Sequence, residues 1–214
     1  EHSLFDVMVD DPTDPTTETT LTIRNILPAP FLANRFRAAV STTLFSATLS
    51  PVDYFKDMLG LPETTQFLEV AAPFKPEQLR VSIDTAISTR YDDRPRSVVP
   101  ICQRMAQQFS TKPGNYLAFF SSYAYLQQVL DTFRQRYPEI ATLEQRSGMT
   151  EQERAGFLAR FTEQSSQIGF CVLGGAFGEG IDLPGQRLVG AFITTLGLPA
   201  KTPVNEEIMR RMQL

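Results

Sequence analysis

The residues best suited to chemistry lie in one short run, Gly-Gly-Ala-Phe-Gly-Glu-Gly-Ile-Asp-Leu-Pro-Gly, residues 174–185. Glycines let the backbone come close to a partner, and Glu179 and Asp182 add acceptors that suit ribose hydroxyls, arginines or a water-bound magnesium ion. The same carboxylates repel a bare phosphate. Gly175 and Gly180 have the G-x-x-x-x-G spacing of a phosphate-binding loop, but Ile181 and Asp182 stand where that loop needs Lys and Ser or Thr. The dinucleotide fingerprint fails as well, because Leu183 occupies its last glycine position, and this disfavours a Rossmann-type nucleotide enzyme. Spacing alone leaves two readings open: a ligand loop with two working carboxylates, or a glycine-rich turn with two solvated acids.

The elements around this loop decide where it can sit. IGFCVL, residues 168–173, is an apolar run that reads as a strand entering the loop, and another apolar run follows at 187–195. Upstream, YLAFFS at 116–121 reads as a strand leading into a helix across 122–136. Further strands are expected at 4–10, 19–24, 42–47, 66–70, 79–84 and 140–145. Helices are expected after Pro30, at 53–59 closed by Gly60, at 95–110 and at 150–163. The last begins with a capping box from Thr150 to Glu153. A Pro/Thr-rich turn separates the first two strands at 11–19. Near-continuous apolar strands alternating with amphipathic helices predict an α/β fold, with a mostly parallel sheet covered by helices on both faces. The glycine loop then lies outside the carboxyl end of that sheet, where α/β proteins bind ligands.

Composition sets the outer limits. With 42% hydrophobic and 21% charged residues, 214 residues suffice for a buried core. No apolar stretch approaches the roughly 20 residues of a membrane span, and the first residues lack a secretory pattern, so a soluble, cytoplasmic chain is expected. Cys102 and Cys171 lie in apolar surroundings and read as reduced core residues, while His2 is too isolated for a catalytic base or metal site. The net charge of -4 conceals an asymmetry: residues 1–20 hold six acids and no Lys or Arg, leaving the remainder at +2. Residues 90–112 carry a local +3, which suits contact with phosphates or a solvated helix face.

EGIDLPG at 179–185 resembles motif V of the XPD/DinG-like superfamily 2 DNA helicases. FFSSY at 119–123 is similar to motif IV of that group, LFSATLSP at 44–51 to motif III, and LGLPAKTP at 196–203 to a Leu-Pro segment downstream, with Ala200 where an aromatic is usual. The resemblance covers residues 44–203 in the family's order. It implies an entry segment with an acidic N-terminus at 1–40 and a RecA-like second motor domain at 41–214. It also implies site roles: Glu179 and Asp182 as catalytic carboxylates at the cleft between motor halves, and Ser46, Ala47, Thr48, Gly178 and Gly180 at the nucleotide cleft or in coupling. Ser121, Ser122 and Tyr123 would hold nucleic acid, and no metal ligands are implied.

Parts of the motor are missing from this sequence. There is no GxxxxGK[ST], no D-E-A-H-like run and no motif VI with its Q-x-x-G-R-x-x-R pattern; Arg210-Arg211 lacks the glycine. ATP and Mg2+, the implied cofactors, would therefore be held mainly by a first motor domain of the same polypeptide. Many relatives carry a four-cysteine iron–sulfur cluster there, and two cysteines here cannot form one. The expected parent activity is ATP hydrolysis coupled to movement on single-stranded or forked DNA, with the 214-residue piece inactive alone. The alternative is a non-catalytic α/β module that binds nucleic acid or a protein partner.

Overall fold

The computed structural model describes residues 5–9, 21–195 and 202–212. The Pro/Thr-rich turn at 11–19 and residues 196–201 of the Leu-Pro segment lie outside the described residues. The chain divides into two units, Glu1–Arg80 with Pro203–Leu214, and Val81–Thr202.

In the first unit, β1 (Phe5–Val9) pairs antiparallel with β2 (Leu21–Asn25), Phe5 opposite Asn25. Helix α1 (Ala29–Ala38) starts behind Pro28 and carries Pro30 in its first turn, where a missing N–H costs nothing. Helix α2 (Val52–Leu59) ends at Gly60, whose φ of +64° is left-handed. A Cβ there would meet the Ala29 carbonyl oxygen at 2.8 Å, so glycine is needed for conformation and for space.

The strands expected at 42–47, 66–70 and 79–84 do not form, and these residues run without regular structure. A strand needs a neighbour to take its N–H and C=O groups, and among the described residues no pairing reaches these segments. Neither α1 nor α2 has a buried residue, and large side chains nearby, including Phe45 and Leu68, stay exposed.

The second unit contains α3 (Arg94–Thr111), β3 (Asn115–Phe120), α4 (Tyr123–Arg136), β4 (Thr142–Glu144), α5 (Glu151–Ala159), β5 (Gln167–Val172) and β6 (Gly190–Ile193). Its strands form a four-stranded sheet in the order β4-β5-β3-β6, parallel throughout. A final helix, α6 (Pro203–Met212), belongs to the first unit. Parallel pairing, read from the apolar runs, is what the sheet adopts.

Both faces of the sheet are covered, as an all-parallel sheet requires. Tyr116, Ala118 and Phe120 of β3 pack with Cys102 and Met105 of α3 and with Leu126, Val129 and Phe133 of α4. Phe120 stacks on Phe170 of the neighbouring strand with centroids 5.6 Å apart. The intervening residues Leu117 and Phe119 face a second cluster containing Phe157, Phe161 and Phe177. Each such phenylalanine contributes roughly 1.5–3 kcal/mol by leaving water.

Helix α5 shows its capping box in full: Glu153 N donates to Thr150 Oγ1 at 3.3 Å, and Thr150 N donates to Glu153 Oε2 at 2.8 Å. It stops at Ala159 rather than 163, because a reciprocal turn takes over the chain. Thr162 N donates to Ser165 Oγ at 2.8 Å and Ser165 N to Thr162 Oγ1 at 3.1 Å. Cys102 and Cys171 are free and buried. Burial pushes their thiols up to about 11 and about 12, so both stay protonated near neutrality. Among the described residues no helix is long and apolar enough to cross a membrane.

Candidate functional site

The carboxyl ends of β3 and β5 lie side by side, because the register pairs Phe120 with Val172. Ser121, Ser122 and Tyr123 leave the first strand, and the glycine loop leaves the second. Leu173 N donates to the Phe120 carbonyl at 2.8 Å, fixing where that loop begins. Parallel pairing has thus brought together two segments about fifty residues apart in sequence.

Ser122 is the N-cap of α4, its Oγ accepting from Tyr125 N at 3.2 Å. Its hydroxyl already has helix work. Ser121 Oγ, in contrast, is buried and meets no partner. Tyr123 is 39% exposed, whereas Phe120 is fully buried.

The loop after β5 is shaped by which residues it sends inward. Gly175 N donates to the Val172 carbonyl at 3.1 Å and Gly178 N to the Gly175 carbonyl at 2.9 Å, turning the chain tightly. Phe177 is buried and stacks on Phe157 at 4.5 Å, while Ile181 and Leu183 pack against the same cluster. These three anchors leave Gly178, Glu179, Gly180 and Asp182 at the surface. Gly180 has φ +72°, a conformation that L side chains rarely adopt. Neither carboxylate joins a hydrogen bond or ion pair among the described residues, so both are open to an incoming donor. Among those residues no three His, Cys, Asp or Glu side chains gather as metal ligands.

One residue ties the two segments together, and sequence reading passed over it. Gln145, just after β4, is 5% exposed. Its Nε2 donates to the Tyr123 hydroxyl at 3.1 Å, and Val172 N donates to its Oε1 at 2.8 Å. A single buried amide therefore spans the end of β4, the end of β5 and the start of α4. The signal in sequence was slight: an amide residue following an apolar strand, indistinguishable from a loop residue until the strand order is known.

Ser46, Ala47 and Thr48 belong to the other unit and are exposed, with Thr48 N donating to Ser46 Oγ at 3.3 Å. The strand expected to present them is missing. Of the predicted site residues, the fold gathers Ser121, Ser122, Tyr123, Gly178, Glu179, Gly180 and Asp182 at one end of one sheet.

Comparison with known proteins bears on the family of the chain. Residues 105–213 match the helicase C-terminal domain family. A protein of Methanocaldococcus jannaschii named a probable ATP-dependent helicase is 27% identical over 168 residues, covering 74% of this chain and 24% of that protein. The chain thus spans about a quarter of that relative's length. The matched stretch holds the whole parallel sheet and both loops at its carboxyl edge. The chain belongs to the helicase C-terminal domain family, the second-motor-domain type that its motifs resemble.

Proposed function

We propose that this chain is the second motor domain, within 41–214, of an ATP-dependent DNA helicase in the XPD/DinG group of superfamily 2. Its parent would couple ATP hydrolysis to translocation on single-stranded DNA and to unwinding, in a setting such as DNA repair. The observation that carries this reading is the placement of the Ser121–Tyr123 and Gly178–Asp182 segments on adjacent parallel strand ends, joined by Gln145.

ATP supplies the phosphoryl group whose transfer drives the motor. The residues here fit its edge rather than its phosphates: Glu179 and Asp182 are acceptors suited to ribose hydroxyls, an arginine or water on a magnesium ion. The loop has Ile181 and Asp182 where a phosphate-binding loop carries Lys and Ser or Thr, and among the described residues no three His, Cys, Asp or Glu side chains gather as metal ligands. Under this reading the first motor domain would hold the phosphates and Mg2+, and this domain would close over the nucleotide. Closure excludes water and strengthens each polar contact made across the cleft. At the adjoining segment, the Ser121 hydroxyl and the first N–H groups of α4 suit a phosphate held without reading its base.

Steady-state ATP turnover tests the reading. The intact polypeptide should hydrolyse ATP faster when single-stranded DNA is added, and the 214-residue chain alone should show no turnover. An intact polypeptide indifferent to DNA would overturn the motor and favour a non-catalytic binding module.

A further inference from the structure

Among the described residues, two buried side-chain polar atoms meet no hydrogen-bond partner: Ser121 Oγ and Arg94 Nε. They come from different elements, the end of β3 and the start of α3, yet both border the first turn of α4. Ser121 directly precedes the N-cap Ser122, and the Arg94 guanidinium lies 5.1 Å over the ring of Tyr125 in that first turn.

Arg94 is held in place with its donors unspent. Its guanidinium also lies 5.1 Å over the Tyr91 ring. The Ser97 hydroxyl donates to the Arg94 carbonyl at 2.8 Å and is paired at 2.6 Å with the Tyr125 hydroxyl. Ring faces attract a guanidinium but satisfy none of its in-plane N–H groups. No carboxylate forms an ion pair with it: Asp93 accepts from Ser88 at 2.7 Å and pairs with Arg96 at 3.4 Å, and Asp84 pairs with Arg104 at 2.6 Å. The side chain is partly exposed, and Tyr91, the ring that covers it, is itself exposed. An anchored guanidinium without an ion pair and an orphaned hydroxyl, each bordering the first turn of α4, are arranged for an anion, since a buried polar group without a partner is costly.

We propose that Arg94 and Ser121, with the amino end of α4, hold one phosphodiester of a nucleic acid strand. This rests on the nucleic-acid motor reading and adds a residue that no recognised motif supplies. Contact is to the phosphate alone, so it positions the strand without selecting sequence.

The test uses the 214-residue chain and fluorescent single-stranded oligonucleotides, one oligo-dT and one of mixed sequence, at several salt concentrations. Arg94→Gln should weaken binding to both by roughly tenfold, as loss of a charge-assisted hydrogen bond predicts. It should also reduce the slope of log affinity against log salt by about 0.7, the share of one single-strand phosphate. Arg94→Lys should restore the slope. A purely structural arginine would lower stability and leave the slope unchanged. Should Arg94→Gln fail to fold, the Nε–H resonance of Arg94 in the wild-type chain decides: it should shift with oligonucleotide and not with the same concentration of inorganic phosphate. An equal shift with inorganic phosphate overturns the strand assignment. An unchanged slope in a folded variant, or a resonance that oligonucleotide does not move, overturns the Arg94 proposal while the motor reading stands. A wild-type chain with no affinity for either oligonucleotide overturns the Arg94 proposal, while the motor reading is decided by the DNA-stimulated ATP turnover of the intact polypeptide.

Discussion

Residues 42–47 and 116–121 read alike in sequence, each an apolar run closing on small or hydroxyl residues, and they fold in opposite ways. The later run becomes β3, flanked by β5 on one side and β6 on the other, with both its faces buried. The earlier one forms no strand, and its Phe45 is 92% exposed. An apolar run therefore specifies a wish for burial, while the strand itself depends on neighbours that take its backbone groups. The same contrast separates the site's two kinds of residue. Ser121 and its loop stand on a rigid strand end, whereas Ser46, Ala47 and Thr48 have no strand beneath them.

The sharpest way to break this comparison is to truncate one phenylalanine in each run. Phe120→Ala empties a fully buried position between Phe170 and Tyr125. It should cost about 3–5 kcal/mol, as large-to-small changes at buried aromatics do. Phe45→Ala should stay within about 0.5 kcal/mol in the 214-residue chain. Denaturant titration of both variants checks the pair. A large loss at Phe45 would mean that its run is packed in solution and that the two segments differ less than their structures do.

A smaller effect is expected at Gln145. Gln145→Leu keeps the volume but leaves the Val172 N–H without its acceptor and frees the Tyr123 hydroxyl. The loss should be roughly 1–3 kcal/mol, the cost of stranding a buried donor. Amide exchange at Val172 should quicken with it. Unchanged exchange and stability would show that backbone pairing alone positions the two loops, and that the amide bridge is incidental.

What the sequence made legible follows the range of each interaction. The Thr150–Glu153 capping box and the Gly60 helix stop were readable because each is settled within a few residues. The parallel sheet was readable because its apolar runs need cover on two faces. The role of Gln145 was not, and of Arg94 only the charge was, within the basic stretch 90–112, since their partners across the fold lie 22 to 31 residues away and meet them only through strand order and helix packing. The strands expected at 66–70 and 79–84 failed for a related reason: their residue types permit extension, but pairing is a property of neighbours. At the glycine loop, sequence singled out Glu179 and Asp182, and the buried Phe177, Ile181 and Leu183 explain how those carboxylates come to stand outward.

The smallest expected change in stability carries the most information about that loop. Asp182 is exposed and makes no bond among the described residues, so Asp182→Ala should alter thermal or denaturant stability of the 214-residue chain by no more than about 0.5 kcal/mol. Under the proposed function, the same change in the intact polypeptide should abolish or severely reduce DNA-stimulated ATP hydrolysis and unwinding. A carboxylate that gains its partner only when the motor halves close contributes to activity without contributing to the fold of this domain. The two measurements must be made together. Lost activity in a destabilised domain would make Asp182 a turn residue that shapes the loop. Full activity in an intact domain would remove it from the mechanism, leaving Gly178 and Gly180 as features of the turn alone.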